Sequence, residues 1–241
     1  MIQRTALITG GATRLGAEIA SFLVEQGCAV LIHYHSSSEK ALALRNHLRK
    51  KRSRVDIIQA DLADPESFAQ IAQFVEERFW RLDFLINNAA RFERAALENI
   101  RPEAAEQMWK INTQASLFLT QACRSLLEGS HGSVVNIIDN CSGHRPWAYH
   151  SHYAASKAGT LAITRSLAAE LAPEIRVNAV GPGAILCEEN DPLLKTGLIQ
   201  KIPMQRWGTP QEIAETVWFL LSGPRYITGE LITVDGGWSL R

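Results

Sequence analysis

The sequence predicts an α/β fold, with about seven parallel strands in one doubly wound sheet and helices packed on both faces. Three observations carry this. Short β-branched runs alternate with longer segments of helical period. The runs are nearly continuously apolar, as in parallel strands covered on both sides. A glycine-rich turn stands between the first run and the first helical segment. At 241 residues and 46% hydrophobic composition, the chain has enough apolar surface to close one core and too little length for two ordinary domains. Residues 1–241 are therefore expected to form a single domain.

The strand-like runs are residues 5–9, 29–33, 55–59, 82–86, 133–137, 176–180 and 231–234. After the first comes the glycine turn and a helix whose apolar period runs through Ile19 and Leu23 to Gly27. The second helix ends in a basic run, residues 45–54, where cations complement the macrodipole. A third helix opens at Asp64 as N-cap with Pro65 in its first turn, and Phe68, Ile71, Val75 and Phe79 face the sheet. One long helix is expected before the fifth strand, with Met108, Ile111, Ala115, Leu119, Ala122 and Leu126 on its apolar side. Thr209, Pro210 and Glu212 form a capping box ahead of Ile213, Val217, Leu220 and Leu221. The stretch from about 184 to 208 has no strong period and is the candidate substrate loop.

Composition narrows the function. Twenty-five basic side chains balance twenty-five acidic ones, so no global field points to nucleic acid or a membrane surface. Neither a signal peptide nor a membrane anchor is visible, and a cytoplasmic protein acting on a small molecule is expected. Cys28, Cys123, Cys141 and Cys187 are scattered and read as free thiols. His150 and His152 have no third ligand nearby, so no metal site is expected.

The turn after the first strand contains Gly10, Thr13, Arg14, Leu15 and Gly16. Gly10 and Gly16 allow a tight turn and a close approach of helix to strand, and the helix N-terminus aims free N–H groups at a pyrophosphate. A strand–turn–helix context makes this a Rossmann-type dinucleotide site. The second strand ends at His33, Tyr34, His35, Ser36, Ser37 and Ser38, where an NAD enzyme places an acid on the ribose 2′-hydroxyl. The first acid here is Glu39. Ser36, Ser37, His35 and Arg14 instead suit a 2′-phosphate dianion, which favours NADP(H); the serines equally suit a turn that caps the next helix.

Tyr153 and Lys157 stand four apart on a helical segment, so both side chains leave one face. A tyrosine with a pKa near ~10 is a poor acid at neutral pH, and a neighbouring ammonium brings it closer to working range.

These residues, with residues 87–90 (NNAA), Asn112, residues 181–183 (GPG) and the tail from Tyr226 to Gly237, resemble the short-chain dehydrogenase/reductase family across essentially the whole chain. The resemblance implies that Tyr153 donates the proton, that Lys157 binds the nicotinamide ribose and lowers the tyrosine pKa, and that Asn112 holds a relay water. It places Asp61 and Leu62 at the adenine, Asn88, Ala89 and Ala90 along the cofactor groove, and Pro182 and Gly183 beside the cofactor. A homotetramer is implied as well.

The chain departs from the family pattern at Arg14, where a middle glycine is usual, at Asp139, where a catalytic serine is usual, and at Ala90, where glycine is usual. Ionised aspartate accepts hydrogen bonds and cannot donate one to a carbonyl. Arg14, Asp139, the strand end at His33 to His35, and Phe92 resemble the pteridine reductase branch, in which Phe92 would stack on the pterin ring. That branch usually has arginine at the position of Ser36 and serine at that of Ala90. The resemblance implies NADPH-dependent reduction of a dihydropterin or dihydrofolate, with substrate contacts from Arg14, Phe92, Asp139 and Tyr153, and with Arg241 near a neighbouring subunit's site. The alternatives are a 3-oxoacyl-type carbonyl reductase and a non-catalytic NADP-binding protein.

Overall fold

The computed structural model describes residues 3–51, 53–140, 147–185 and 197–240. Strands β1 (Thr5–Ile8), β2 (Ala29–Tyr34), β3 (Val55–Gln59), β4 (Phe84–Asn87), β5 (Ser133–Ile137), β6 (Arg176–Pro182) and β7 (Leu231–Val234) form one sheet of order β3-β2-β1-β4-β5-β6-β7. Every pairing is parallel. The expected doubly wound sheet is therefore present.

Alternation along the strands builds a core on each face. Ala6 and Ile8 of β1 join Val30, Ile32 and Ile86 beneath α1 (Arg14–Glu25) and α8 (Pro210–Ser222). Leu7, Leu31 and Leu85 face the other way, against α3 (Glu66–Phe79), α5 (Ala115–Ala122) and α7 (Ser151–Leu171). Burying one such Leu or Ile contributes about 1.5–3 kcal/mol, so both layers hold the sheet in register.

Local signals act largely as the sequence implies. Helix α2 (Ser38–Arg49) ends in the basic run, and Arg49 donates to Val55 O at 2.7 Å and to Asp56 at 2.5 Å, closing the helix onto β3. Helix α3 begins one residue after Pro65, and Asp64 Oδ1 accepts the Glu66 N–H at 3.0 Å. Strand β4 starts two residues later than the apolar run. Asp83 ahead of it meets β1 through its side chain, accepting the Thr5 N–H at 2.8 Å.

The expected long helix before β5 is broken. It consists of α4 (Pro102–Trp109), a π turn (Lys110–Gln114), α5 and α6 (Arg124–Glu128). The π turn frees the Asn112 carbonyl, which accepts from the Thr160 hydroxyl at 2.8 Å. Cys123 then leaves helical geometry (φ −90°, ψ 2°). In consequence Cys123 and Leu127 are buried, while Ala122 is exposed and Leu126 is only partly covered.

Burial pushes the Cys28 thiol up to about 11 and that of Cys123 up to about 12, so both are inert. Cys141, Cys187, Arg241 and residues 186–196 of the expected substrate loop lie outside the described residues. Among the described residues, no helix is long and apolar enough to cross a membrane.

The capping box of α8 is formed in both directions: Thr209 Oγ1 accepts the Glu212 N–H and Glu212 accepts the Thr209 N–H. The Arg206 guanidinium and that Thr209 N–H hold the Glu212 carboxyl down at about 2. Thr209→Ala is expected to cost about 1 kcal/mol in urea unfolding, and Thr209→Ser much less. Equal losses for the two would contradict this role of the hydroxyl.

Candidate active site

The chain leaves β1 toward β2 on one side of the sheet, and β4 stands on the other, so a crevice opens at the carboxyl ends of these strands. A cleft of about 430 Å3 occupies it. One wall is the glycine turn and the start of α1, from Gly10 through Thr13, Arg14 and Leu15 to Gly16. The end of β2 supplies His35, Ser36 and Ser37; the end of β3 supplies Asp61 and Leu62; the segment after β4 supplies Asn88, Ala89 and Ala90. Ala12, His33, Tyr34 and Ile111 also line the cleft and were not anticipated.

Close approach dictates the glycines. A Cβ on Gly16 would lie 2.3 Å from the Gly10 carbonyl oxygen, and Gly10 (φ +60°) leaves only 3.0 Å to the Cα of Ala89. Asn88 braces the turn, its amide donating to Thr9 O at 2.9 Å and to Gly10 O at 3.2 Å. The Thr9 hydroxyl accepts the N–H groups of Asn88 and Ala89 at 2.9 and 3.0 Å. Arg14 has φ +50°, the left-handed region. A side chain there costs on the order of 1–3 kcal/mol, which explains why glycine is the usual residue. Ser37 sits at the N-cap of α2 without a side-chain capping bond, and His35 lies 4.0 Å from the Asp61 carboxylate.

His33 lies under the cleft floor at 2% exposure. Its Nδ1 accepts the Gly10 N–H at 3.2 Å, and its Nε2 is 3.1 Å from Ala60 O. With both neighbours satisfied, the ring is neutral and carries its proton on Nε2. Burial holds its pKa down at about 4 against the Ala60 bond that favours protonation, with smaller opposing contributions from His35 and Asp61.

The unfolded chain therefore takes up a proton between about pH 6.5 and 4 that the folded chain refuses. The stability due to neutral His33 is complete above that window and is lost as the pH falls through it. At about 1.4 kcal/mol per pH unit the whole window corresponds to about 3 kcal/mol. Urea unfolding of the wild type is expected to weaken by about 2 kcal/mol more than that of His33→Asn between pH 7 and 4.5. Parallel pH dependence in the two proteins would contradict this.

Beyond the cleft, β5 and α7 bring the chemistry together. Tyr153, buried on α7, donates its phenolic O–H to Asp139 Oδ2 at 2.9 Å. Lys157, one turn on and 2% exposed, donates from Nζ to Ile137 O at 2.8 Å. A buried amide chain holds these elements: Asn87 donates to Asn136 at 2.8 Å, and Asn136 to Thr164 on α7 at 2.8 Å. Asn112, in the π turn, takes the Arg91 N–H at 2.7 Å, donates to Arg91 O at 2.9 Å and donates to Ser156 at 2.9 Å. Its amide thus clamps the segment carrying Phe92 to the helix carrying Tyr153.

Phe92 is 56% exposed and meets Tyr153 edge-on, with ring centroids 4.8 Å apart. His150 stacks on Phe92 at 5.1 Å, and Trp147 bridges His150 to Trp238. Pro182 ends β6 beside Val234 of β7 and Gly183 follows against Asp235; neither is among the residues lining the cleft. Burial pushes the Asp235 carboxyl up, but hydrogen bonds from Ser239, Asn140 and Gly237 outweigh it and hold the group below its usual range.

A family model described as enoyl-(acyl carrier protein) reductase matches residues 10–239. A 3-oxoacyl-[acyl-carrier-protein] reductase of Staphylococcus aureus (strain Mu50) is 34% identical over 97% of both chains. The chain belongs to the short-chain dehydrogenase/reductase family. Among solved structures, a short-chain dehydrogenase of Burkholderia cenocepacia J2315 in complex with NADP is similar at a TM-score of 0.92, with 33% identity over 98% of both chains. A blue fluorescent protein from a metagenomic library in complex with NADPH is similar at 0.91, with 31% identity over 98% of this chain and 97% of that one.

Gly16→Ala tests the cleft wall. With a backbone oxygen 2.3 Å from the new Cβ, the expected outcome is a loss of several kcal/mol in urea unfolding or no folded protein. A wild-type midpoint would contradict the close approach.

Proposed function

We propose that this short-chain reductase uses NADPH to reduce a pteridine to its tetrahydro form, with dihydrobiopterin, dihydromonapterin and dihydrofolate as candidate substrates. The cleft fits NADP(H). Its glycine wall leaves no room for a Cβ at the turn that would carry a pyrophosphate, and Ser36, Ser37 and His35 at the end of β2 line the same cleft as Arg14, offering hydroxyl, imidazole and guanidinium groups to a 2′-phosphate. The similar structures that carry NADP or NADPH support the same cofactor.

The observation that carries the substrate reading is the bond from Tyr153 to Asp139. An acceptor stands where a carbonyl reductase of this family has a hydroxyl donor. Asp139 is suited to the N–H groups of an amino-substituted heterocycle, and the exposed Phe92 face beside Tyr153 is suited to its ring. When bound, NADPH supplies a hydride to the carbon of a ring C=N bond. Tyr153 holds the proton for the adjoining nitrogen at its phenolic oxygen, and Asp139 is positioned to return one to Tyr153 from solvent. Lys157, buried and fixed on the Ile137 carbonyl, supplies a positive charge one turn from Tyr153 on the same helix. Asn112 keeps Phe92 and Tyr153 at their separation through Arg91 and Ser156.

The relatives named as 3-oxoacyl reductases favour a second reading, reduction of a 3-oxoacyl thioester. A substrate panel separates the two. NADPH oxidation is expected to be faster with dihydropterins than with acetoacetyl thioesters, and faster with NADPH than with NADH. Asp139→Ser is expected to lower pterin turnover at least tenfold and leave thioester turnover equal or higher; Tyr153→Phe is expected to lower both about a hundredfold. Preference for the thioester, with a gain from Asp139→Ser, would establish the second reading.

We also propose a homotetramer. Ala158 and Ala162 on the outer face of α7, with the exposed Phe118 on α5 and Trp109 on α4, form a surface suited to another copy. Light scattering is expected to give four times the monomer mass, and a monomer at working concentration would contradict it.

A further inference from the structure

The cleft described above is long, and its two ends belong to different parts of the fold. The glycine turn follows β1, whereas Asp61 and Leu62 follow β3. A ligand that fills both ends needs them at one fixed separation. Strand β2 lies between β1 and β3, and its residue His33 bonds to both.

His33 holds the glycine turn twice. Its backbone carbonyl accepts the Gly11 N–H at 2.9 Å, and its Nδ1 accepts the Gly10 N–H at 3.2 Å. From the opposite edge of the ring, Nε2 donates to the carbonyl of Ala60, the residue before Asp61, at 3.1 Å. The ring is 2% exposed, so the Gly10 N–H and the Ala60 carbonyl are satisfied by this side chain in a place where replacing it with an apolar group strands them. Titratable groups that act on the ring are His35, just after β2, and Asp61, after β3.

We propose that His33 is a positioning residue for the cofactor: its neutral imidazole is the spacer that sets the distance between the pyrophosphate turn and the adenine end of the cleft. It touches neither the reacting atoms nor the nicotinamide. This inference rests on the reading of the cleft as an NADP(H) site. It predicts that a ligand spanning both ends depends on His33 much more than a ligand occupying one end, because a half-ligand does not require the two ends in register.

Three variants separate the two bonds of the ring. His33→Leu removes both. His33→Asn places an amide oxygen near the Nδ1 position and retains the Gly10 end; His33→Gln carries its amide further out and retains the Ala60 end. Isothermal titration calorimetry is to be run at pH 7.5 with NADP+ and with adenosine 2′-monophosphate, which has no 5′-phosphate and reaches the adenine and 2′-phosphate end only. The expected result is that Kd for NADP+ rises at least tenfold in His33→Leu and three- to tenfold in His33→Asn and His33→Gln, while Kd for the monophosphate changes less than threefold. If His33→Leu does not fold, the Asn and Gln variants carry the same comparison. Unchanged NADP+ affinity in the variants, or equal losses for the two ligands, overturns the spacer role while leaving the cofactor assignment intact. Absence of NADP+ binding by the wild-type protein overturns the cofactor assignment itself.

Discussion

The start of α1 is pressed against the end of β1 so closely that no side-chain carbon fits between Gly16 and the Gly10 carbonyl. Much of the site follows from that contact. It sets α1 over the sheet with its first turn at the cleft wall, where the backbone at Arg14 lies in the left-handed region. It also leaves the polar groups of the turn dependent on distant partners: Asn88 and Ala89 from the β4 side, His33 from β2. The cleft is thus a product of strand order, since these partners meet only where β1 lies between β2 and β4.

The chemical end of the site depends on a second set of buried polar ties. Asn136 joins β4 to α7 through Asn87 and Thr164, and Asn112 joins the Phe92 segment to Ser156 on the same helix. Each amide has its partners, so these bonds rigidify the site without leaving a stranded polar atom of their own. They bring Tyr153, Asp139 and Phe92 within a few ångströms although the three arise from α7, the segment after β5 and the segment after β4. The pair Tyr153–Asp139 differs from a tyrosine–serine pair in one physical respect: its second member, when ionised, only accepts, and it donates only after taking up a proton.

The sheet, the glycine turn and the α8 capping box were legible in the sequence because each is encoded by residues close together: an apolar run, a glycine spacing, a Thr–Pro–Glu cluster. The line of cleft residues from Gly10 to Ala90 was legible for a related reason, since each group directly follows a strand. The long helix before β5 was misread as continuous because its π turn depends on Arg91 and Thr160, which are remote from Asn112 in the chain. His33 gave a signal, a polar residue ending an apolar strand, but its partners Gly10 and Ala60 become neighbours only through β1–β2–β3 pairing. Pro182 and Gly183 are expected beside the cofactor; the packing of Gly183 on Asp235 was not legible, since that contact requires β7 to lie beside β6.

The central claim is that Tyr153 and Asp139 serve hydride reduction of a pteridine ring. Single-turnover reaction of the wild-type protein with 4-deuterated NADPH and dihydrobiopterin, read by mass spectrometry, tests it most directly. One carbon-bound deuterium in the tetrahydropterin, sharply diminished in Asp139→Ser, is the expected result. A tetrahydropterin pool without deuterium, alongside a deuterated 3-hydroxyacyl product from an acetoacetyl thioester, would contradict the account.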